Sequence, residues 1–161
     1  MKKSKVTNSA PLEVTTLRPL EVTTVVEHKH EGLPRFVCIP LDEVAPWRLD
    51  VTTTVEGTLN GIDIGRRSLK RWDDRSCWWI ELPEPLCRKA KIDKGDRVEL
   101  HLRIASQELP QELAQLIASH AAARKAWERL TPGQQRMLRE EVLAASQSAT
   151  RERRARRALG L

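Results

Sequence analysis

The sequence predicts an α+β protein. A small closed β-barrel of about seven strands, Greek-key or double-psi-like, is followed by a C-terminal three-helix appendage. Three observations carry that expectation. Between residues 20 and 106, short runs of apolar side chains alternate with polar ones and are separated by Gly, Pro and Asn-Gly breaks. Residues 77–102 read as strand, proline break, helical turn, glycine turn and strand, and the stretch from Phe36 onward repeats that order. After Ala105 the apolar spacing changes from two to the i, i+3, i+4 pattern of a helix.

Composition narrows the class. With 40% hydrophobic and 31% charged residues in 161, the chain has enough apolar material for one sizeable core or two small modules. It contains no apolar run near the ~18–20 residues of a membrane helix, so membrane insertion is not expected. The basic start, MKKSK, is followed by no apolar stretch, which argues against a secretory signal. Cys38, Cys77 and Cys87 are odd in number and lack metal-like spacing, as free thiols of a reducing compartment would be. A soluble cytoplasmic protein is expected. The net charge of +6 is mostly terminal: Lys2, Lys3 and Lys5 at one end, five arginines at the other.

Taken in order, residues 1–19 read as a polar, basic tail. The string PLEVTT occurs at 11–16 and again at 19–24, and only the second copy is expected to enter the fold. Residues 20–27, with Val22, Thr23, Thr24, Val25 and Val26, form a first strand. Residues 36–39 are a short apolar strand stopped by Pro40, with a helical turn over 41–47. Val51, Val55 and Leu59 predict the next strand, and Asn60-Gly61 a type I′ hairpin with residues 62–64 returning. Residues 66–75 read as a polar connection. In 77–82, Trp78, Ile80 and Leu82 face a core while Trp79 and Glu81 face away. Pro83 and Pro85 end that strand, and Lys94-Gly95-Asp96 turns the chain into a last strand through Val98, Leu100, Leu102 and Ile104. Helical stripes follow: Leu113, Leu116 and Ile117; then Ala123, Trp127 and Leu130; then Leu138, Val142, Ala145 and Ala149. Thr131-Pro132-Gly133-Gln134 has the form of a capping box. The expected domains are a tail (1–19), a barrel (20–106) and a helical domain (107–161).

Four segments together resemble one bacterial family: GTLNG at 57–61, CRKAKIDKGDRVEL at 87–100, LPQELAQLI at 109–117 and SATRERRARRAL at 148–159. The chain is similar there to the YdeI/OmpD-associated proteins, a β-barrel domain of unknown function joined to a helical "bacteriocin-protection" domain. The resemblance implies a non-enzymatic bacterial binding or stress-protection module, and it supplies no catalytic residue. It departs from the family at Ala145-Ser146, where an alanine–lysine pair is usual, and at the loop 72–76, which is not glycine-rich. The strand–Pro–helix–Gly-Asp–strand unit also resembles the half-motif of looped-hinge regulators and double-psi barrels, a likeness of fold alone.

Candidate chemistry is sparse. The chain has no Walker-type glycine loop, no G-x-S-x-G and no H-E-x-x-H, so no cofactor and no catalytic residue is expected. His28 and His30 would share a strand face, with His101 or Cys38 as a third metal ligand; two exposed strand-end histidines are the adopted reading, and no metal is expected. Cys77 and Cys87 read as small buried hydrophobes, and the pairs Asp73, Asp74 and Asp93, Asp96 as turn acids. Tryptophan is more informative, because the chain has five, one phenylalanine and no tyrosine. Trp78 is expected in the core. Trp79 is expected under the helical appendage, with Trp127 the helix residue that docks on the barrel. Trp72 and Trp79 are the candidate anchors for an unknown small molecule or protein partner, ordinary packing being the competing role. The second candidate is phosphate contact by Arg151, Arg153, Arg154, Arg156 and Arg157. At about 100° per residue these spread around a helix instead of lining one face, so nucleic acid is the alternative partner, not the favoured one.

Overall fold

A computed structural model describes residues 17–161 of the chain. The first PLEVTT copy and most of the basic tail lie outside the described residues. The chain divides into two compact units at Ser106/Gln107.

Among the described residues the first unit has seven strands: β1 (Leu20–Glu27), β2 (Arg35–Pro40), β3 (Thr53–Leu59), β4 (Ile62–Asp63), β5 (Arg67–Trp72), β6 (Cys77–Leu82) and β7 (Arg97–Ile104). Helix α1 (Leu41–Val44) and a 3-10 turn (Ala45–Trp47) follow β2, and α2 (Glu84–Ala90) follows β6. The sheet order is β4-β3-β5-β6-β2-β1-β7, and a further β3–β7 pairing closes it. Six strands thus form the ring, and β4 hangs outside as the return arm of the Asn60-Gly61 hairpin. Both turn residues have the positive φ of a type I′ turn, 51° and 81°. Every pairing is antiparallel. The meander β3, β5, β6 with β7 returned beside β3 is a Greek key.

The repeated strand–proline–helix order is an internal two-fold. Residue i of the first half corresponds to residue i + 43 of the second. Pro40 and Pro83 both precede their helices, and Arg48 and Lys91 both end them in the left-handed region, at φ 53° and 57°. Register obeys the same shift. The β1 pair Thr24↔Val98 becomes Val55↔Arg67, and Glu27↔Phe36 becomes Lys70↔Trp79. Val37↔Ile80 is its own image and lies on the pseudo-dyad.

This relation explains the strand that replaces the predicted polar connection. β5 is the second-half copy of the end of β1, yet only Leu69 within it is fully buried, where β1 offers a β-branched run. Period-two reading misses a strand with one core residue. At the other margin, Val51 lies ahead of β3 and is 65% exposed. Inside the ring, Val37, Ile39, Leu59, Leu69, Ile80 and Leu100 are almost wholly buried, and Trp78 joins them as expected. Each such side chain contributes about 1.5–3 kcal/mol by leaving water.

The second unit has four helices: α3 (Gln111–Ser119), α4 (Ala121–Arg129), α5 (Pro132–Leu143) and α6 (Ser148–Ala158). The capping box at Thr131 and Gln134 is present in both directions. The predicted third helix is two, because the chain breaks after Ala144 and restarts beyond Gln147. Leu113, Leu116, Ala123, Leu138, Val142 and Ala155 form the unit's core. Trp127, expected to dock on the barrel, packs against that helical core.

Candidate functional site

The outward parity of β2, β6 and β5 builds the site. Val37 and Ile39 face inward, so Phe36 and Cys38 face out; Ile80 and Leu82 face inward, so Trp79 and Glu81 face out. Pairing sets Cys38 opposite Trp79, and Trp79 opposite Lys70. Trp72 is the last residue of β5, not a loop residue, and pairs with Cys77.

Three rings meet on this wall. The centroids of Phe36 and Trp72 are 5.8 Å apart, those of Trp72 and Trp79 5.7 Å, and those of Phe36 and Trp79 6.0 Å with the planes at 80°. These tilted and edge-to-face contacts suit the ring quadrupoles. Trp79, expected under the helices, has Phe36 and Trp72 packed on it. Phe36 and Cys77 are buried although they point away from the ring interior, so the cluster is a small second core on the barrel's outer wall.

Cations surround the rings. Lys29 Nζ lies 5.3 Å and the Arg75 guanidinium 5.1 Å from the Trp72 centroid, and Lys70 Nζ lies 4.7 Å from that of Trp79. Arg75 donates both Nη groups to the Glu27 carboxylate at 2.9 and 3.0 Å. Arg71 Nε donates to Asp73 at 2.7 Å, and Lys70 stands 3.7 Å from Glu81. Among the described residues no carboxylate pairs with Lys29. Lys29, Leu33, Pro34, Phe36, Arg71, Trp72, Trp79 and Glu81 line a groove of about 370 Å³.

The Cys38 thiol, opposite Trp79 in the sheet, is held protonated. Burial pushes the Cys38 thiol up to about 12, helped by its hydrogen bond with Cys77. Burial also raises Cys87, whose Sγ lies 3.6 Å from the Leu82 carbonyl oxygen. A buried neutral thiol is a poor nucleophile.

The remaining predicted residues go elsewhere. His28 and His30 follow β1 and contact backbone carbonyls, of Leu33 at 2.7 Å and Glu31 at 3.0 Å. Among the described residues no three His, Cys, Asp or Glu side chains stand close enough to share a metal ion. Asp93 accepts from Arg35 Nε at 2.6 Å and from the Lys94 amide, and Asp96 accepts from the Asp93 amide, so these acids organise their turn. In α6, Arg151 Nε donates to the Ala145 carbonyl oxygen at 2.7 Å, and Arg154 to that of Glu141 at 2.8 Å. Arg156 pairs with Glu152, and Arg153 touches the Thr150 hydroxyl. Arg153 and Arg157 are the exposed members of the five.

Sequence reading found two rings of the groove and missed Phe36, Lys29, Lys70, Arg71 and Arg75. The parity of β2 places Phe36 on the face of Trp79 and was available as a signal. The cations become neighbours only once β5 is a strand.

Fold and site define a two-unit α+β protein, a Greek-key barrel with a cation-rimmed aromatic groove on its outer wall followed by a four-helix unit. The helical unit, residues 107–161, matches the family model described as Bacteriocin-protection, YdeI or OmpD-Associated. The resemblance read from the motifs is thereby shown for that unit, and the barrel lies outside the match. No curated protein matches the chain. Among the described residues no helix is long and apolar enough to cross a membrane.

Proposed function

We propose that this protein is a non-enzymatic binding module of the bacterial cytoplasm with a stress- or bacteriocin-protection role, and that the groove at Trp72 and Trp79 is its binding site. The observation that carries the reading is the groove itself: three aromatic rings gathered on an outer wall where a solvated sheet face would be polar. The family match of the helical unit supports the protective role. Free thiols at Cys38, Cys77 and Cys87 support a reducing compartment. The Cys38 thiol, paired opposite Trp79, is held protonated, which suits holding a ligand better than transforming one.

The test is survival. A bacterial strain lacking the chain is challenged with a panel of bacteriocins and complemented with the native protein, Trp72→Ala or Trp79→Ala. Native protein restores survival, and each variant loses most of that protection while its circular dichroism is unchanged. Full protection by both folded variants, or no protection by the native protein, overturns the proposal.

A further inference from the structure

We infer that the groove takes a small planar aromatic anion, its ring against Trp72 and Trp79 and its anionic group at Lys29 and Arg71; this rests on the groove being the binding site. Size comes first. About 370 Å³ is the lower part of the range for small-molecule pockets, roughly 300–1,000 Å³. Rings, Leu33 and Pro34 supply most of the lining, so the body of the ligand is apolar, and tryptophan faces and edges favour a flat one.

Charge decides the second half. Of the ionisable groups in the lining, Glu81 faces the Lys70 ammonium, while Lys29 has no carboxylate partner among the described residues. Arg71 is bonded to Asp73, whose side chain is 80% exposed, and its guanidinium lies 5.8 Å from the Trp78 ring centroid. The surplus in the lining is positive, complementary to an anion and repulsive to a cation.

The pseudo-dyad explains why ring and charge sit together. Shifted by 43 residues, Phe36 falls on Trp79, so the two halves present aromatic rings to each other across the dyad. Lys29 falls on Trp72. Where the second half places an indole, the first places an ammonium, 5.3 Å from that indole. A symmetric all-aromatic slot would take any flat apolar body. This asymmetric one reads a ring and a negative charge at a fixed separation.

The experiment uses the full chain and two probes that share a ring and differ in charge: naphthalene-2-sulfonate and 2-naphthylmethylammonium. Binding is measured by calorimetry on the native protein, Lys29→Glu and Trp72→Ala. Lys29 is exposed, so its replacement leaves the barrel intact. The sulfonate binds the native protein at least about tenfold more tightly than the ammonium, and Lys29→Glu erases that preference. Trp72→Ala abolishes binding of the sulfonate. Equal affinity for the two probes, both lost in Trp72→Ala, leaves the groove as a binding site and overturns the anion. No binding of either probe overturns both readings. Oligothymidylate that displaces the sulfonate at far lower concentration makes the occupant single-stranded nucleic acid and overturns a small molecule.

Discussion

Gly57 shows how one residue sets the closure of the ring. It lies in β3 opposite Leu102 at φ 149°, and a β-carbon there would stand 1.9 Å from the His101 carbonyl oxygen. That oxygen belongs to the strand that seals the barrel, so neither side can give way cheaply. Gly57→Ala is expected to cost about 3 kcal/mol or more, the upper end for single substitutions, read from the urea midpoint of unfolding. A loss below about 0.5 kcal/mol would mean that β3 and β7 approach less closely than described. Gly61, in the turn after the same strand, is needed for its backbone alone. It lets Asn60-Gly61 turn, and an added β-carbon there would meet nothing.

At the scale of elements, the arginines of α6 divide by what they touch. Arg154 bonds the carbonyl oxygen of Glu141 in the last turn of α5, and Arg151 that of Ala145 just beyond it, groups that a helix terminus leaves without intrahelical partners. The two arginines tie α6 back across the break at 144–147, a stretch with neither Gly nor Pro. Arg151→Ala or Arg154→Ala should each lower the stability of the protein by about 1 kcal/mol. Arg153→Ala and Arg157→Ala should change it by less than about 0.5 kcal/mol. Four equal losses in thermal unfolding would refute this division. The same division trims the alternative of phosphate contact, since Arg153 and Arg157 are exposed residues and, four apart, share a helix face, while Arg156 is paired with Glu152.

At the scale of the whole barrel, the two halves are tied by an ion pair as well as by the core. Arg35 of β2 meets Asp93 in the turn before β7, and this guanidinium, with the Lys94 amide, holds the Asp93 carboxyl below its ordinary value. A carboxyl lowered on folding contributes stability above its unfolded pKa and loses it as pH falls through the folded value. Acid should therefore loosen the barrel, and Asp93→Asn should shrink the difference in melting temperature between pH 6 and pH 3. An unchanged difference in that variant would remove the pair from the acid response. The pair is exposed on the Asp93 side, so salt should weaken it.

Much of this was legible in the residues. Alternation in β2, β6 and β7, the Asn60-Gly61 turn, the repeated proline-and-helix order and the Thr131 capping box are local patterns, and local patterns report backbone conformation because side-chain periodicity must match the element that carries it. The barrel class and the helical end followed from them, as did the family likeness of residues 107–161. β5 was not legible, since a single buried leucine gives no period. Without β5, Trp72 reads as a loop residue and the cations around it have no common neighbour. Only the closed sheet, folded with its two-fold register of 43 residues, decides that Phe36, Trp72 and Trp79 meet and that Lys29 stands where symmetry would put a ring. Sequence spacing fixes which way a side chain points from its own strand; which strand lies beside it is set by long-range pairing, and a groove is made of neighbours.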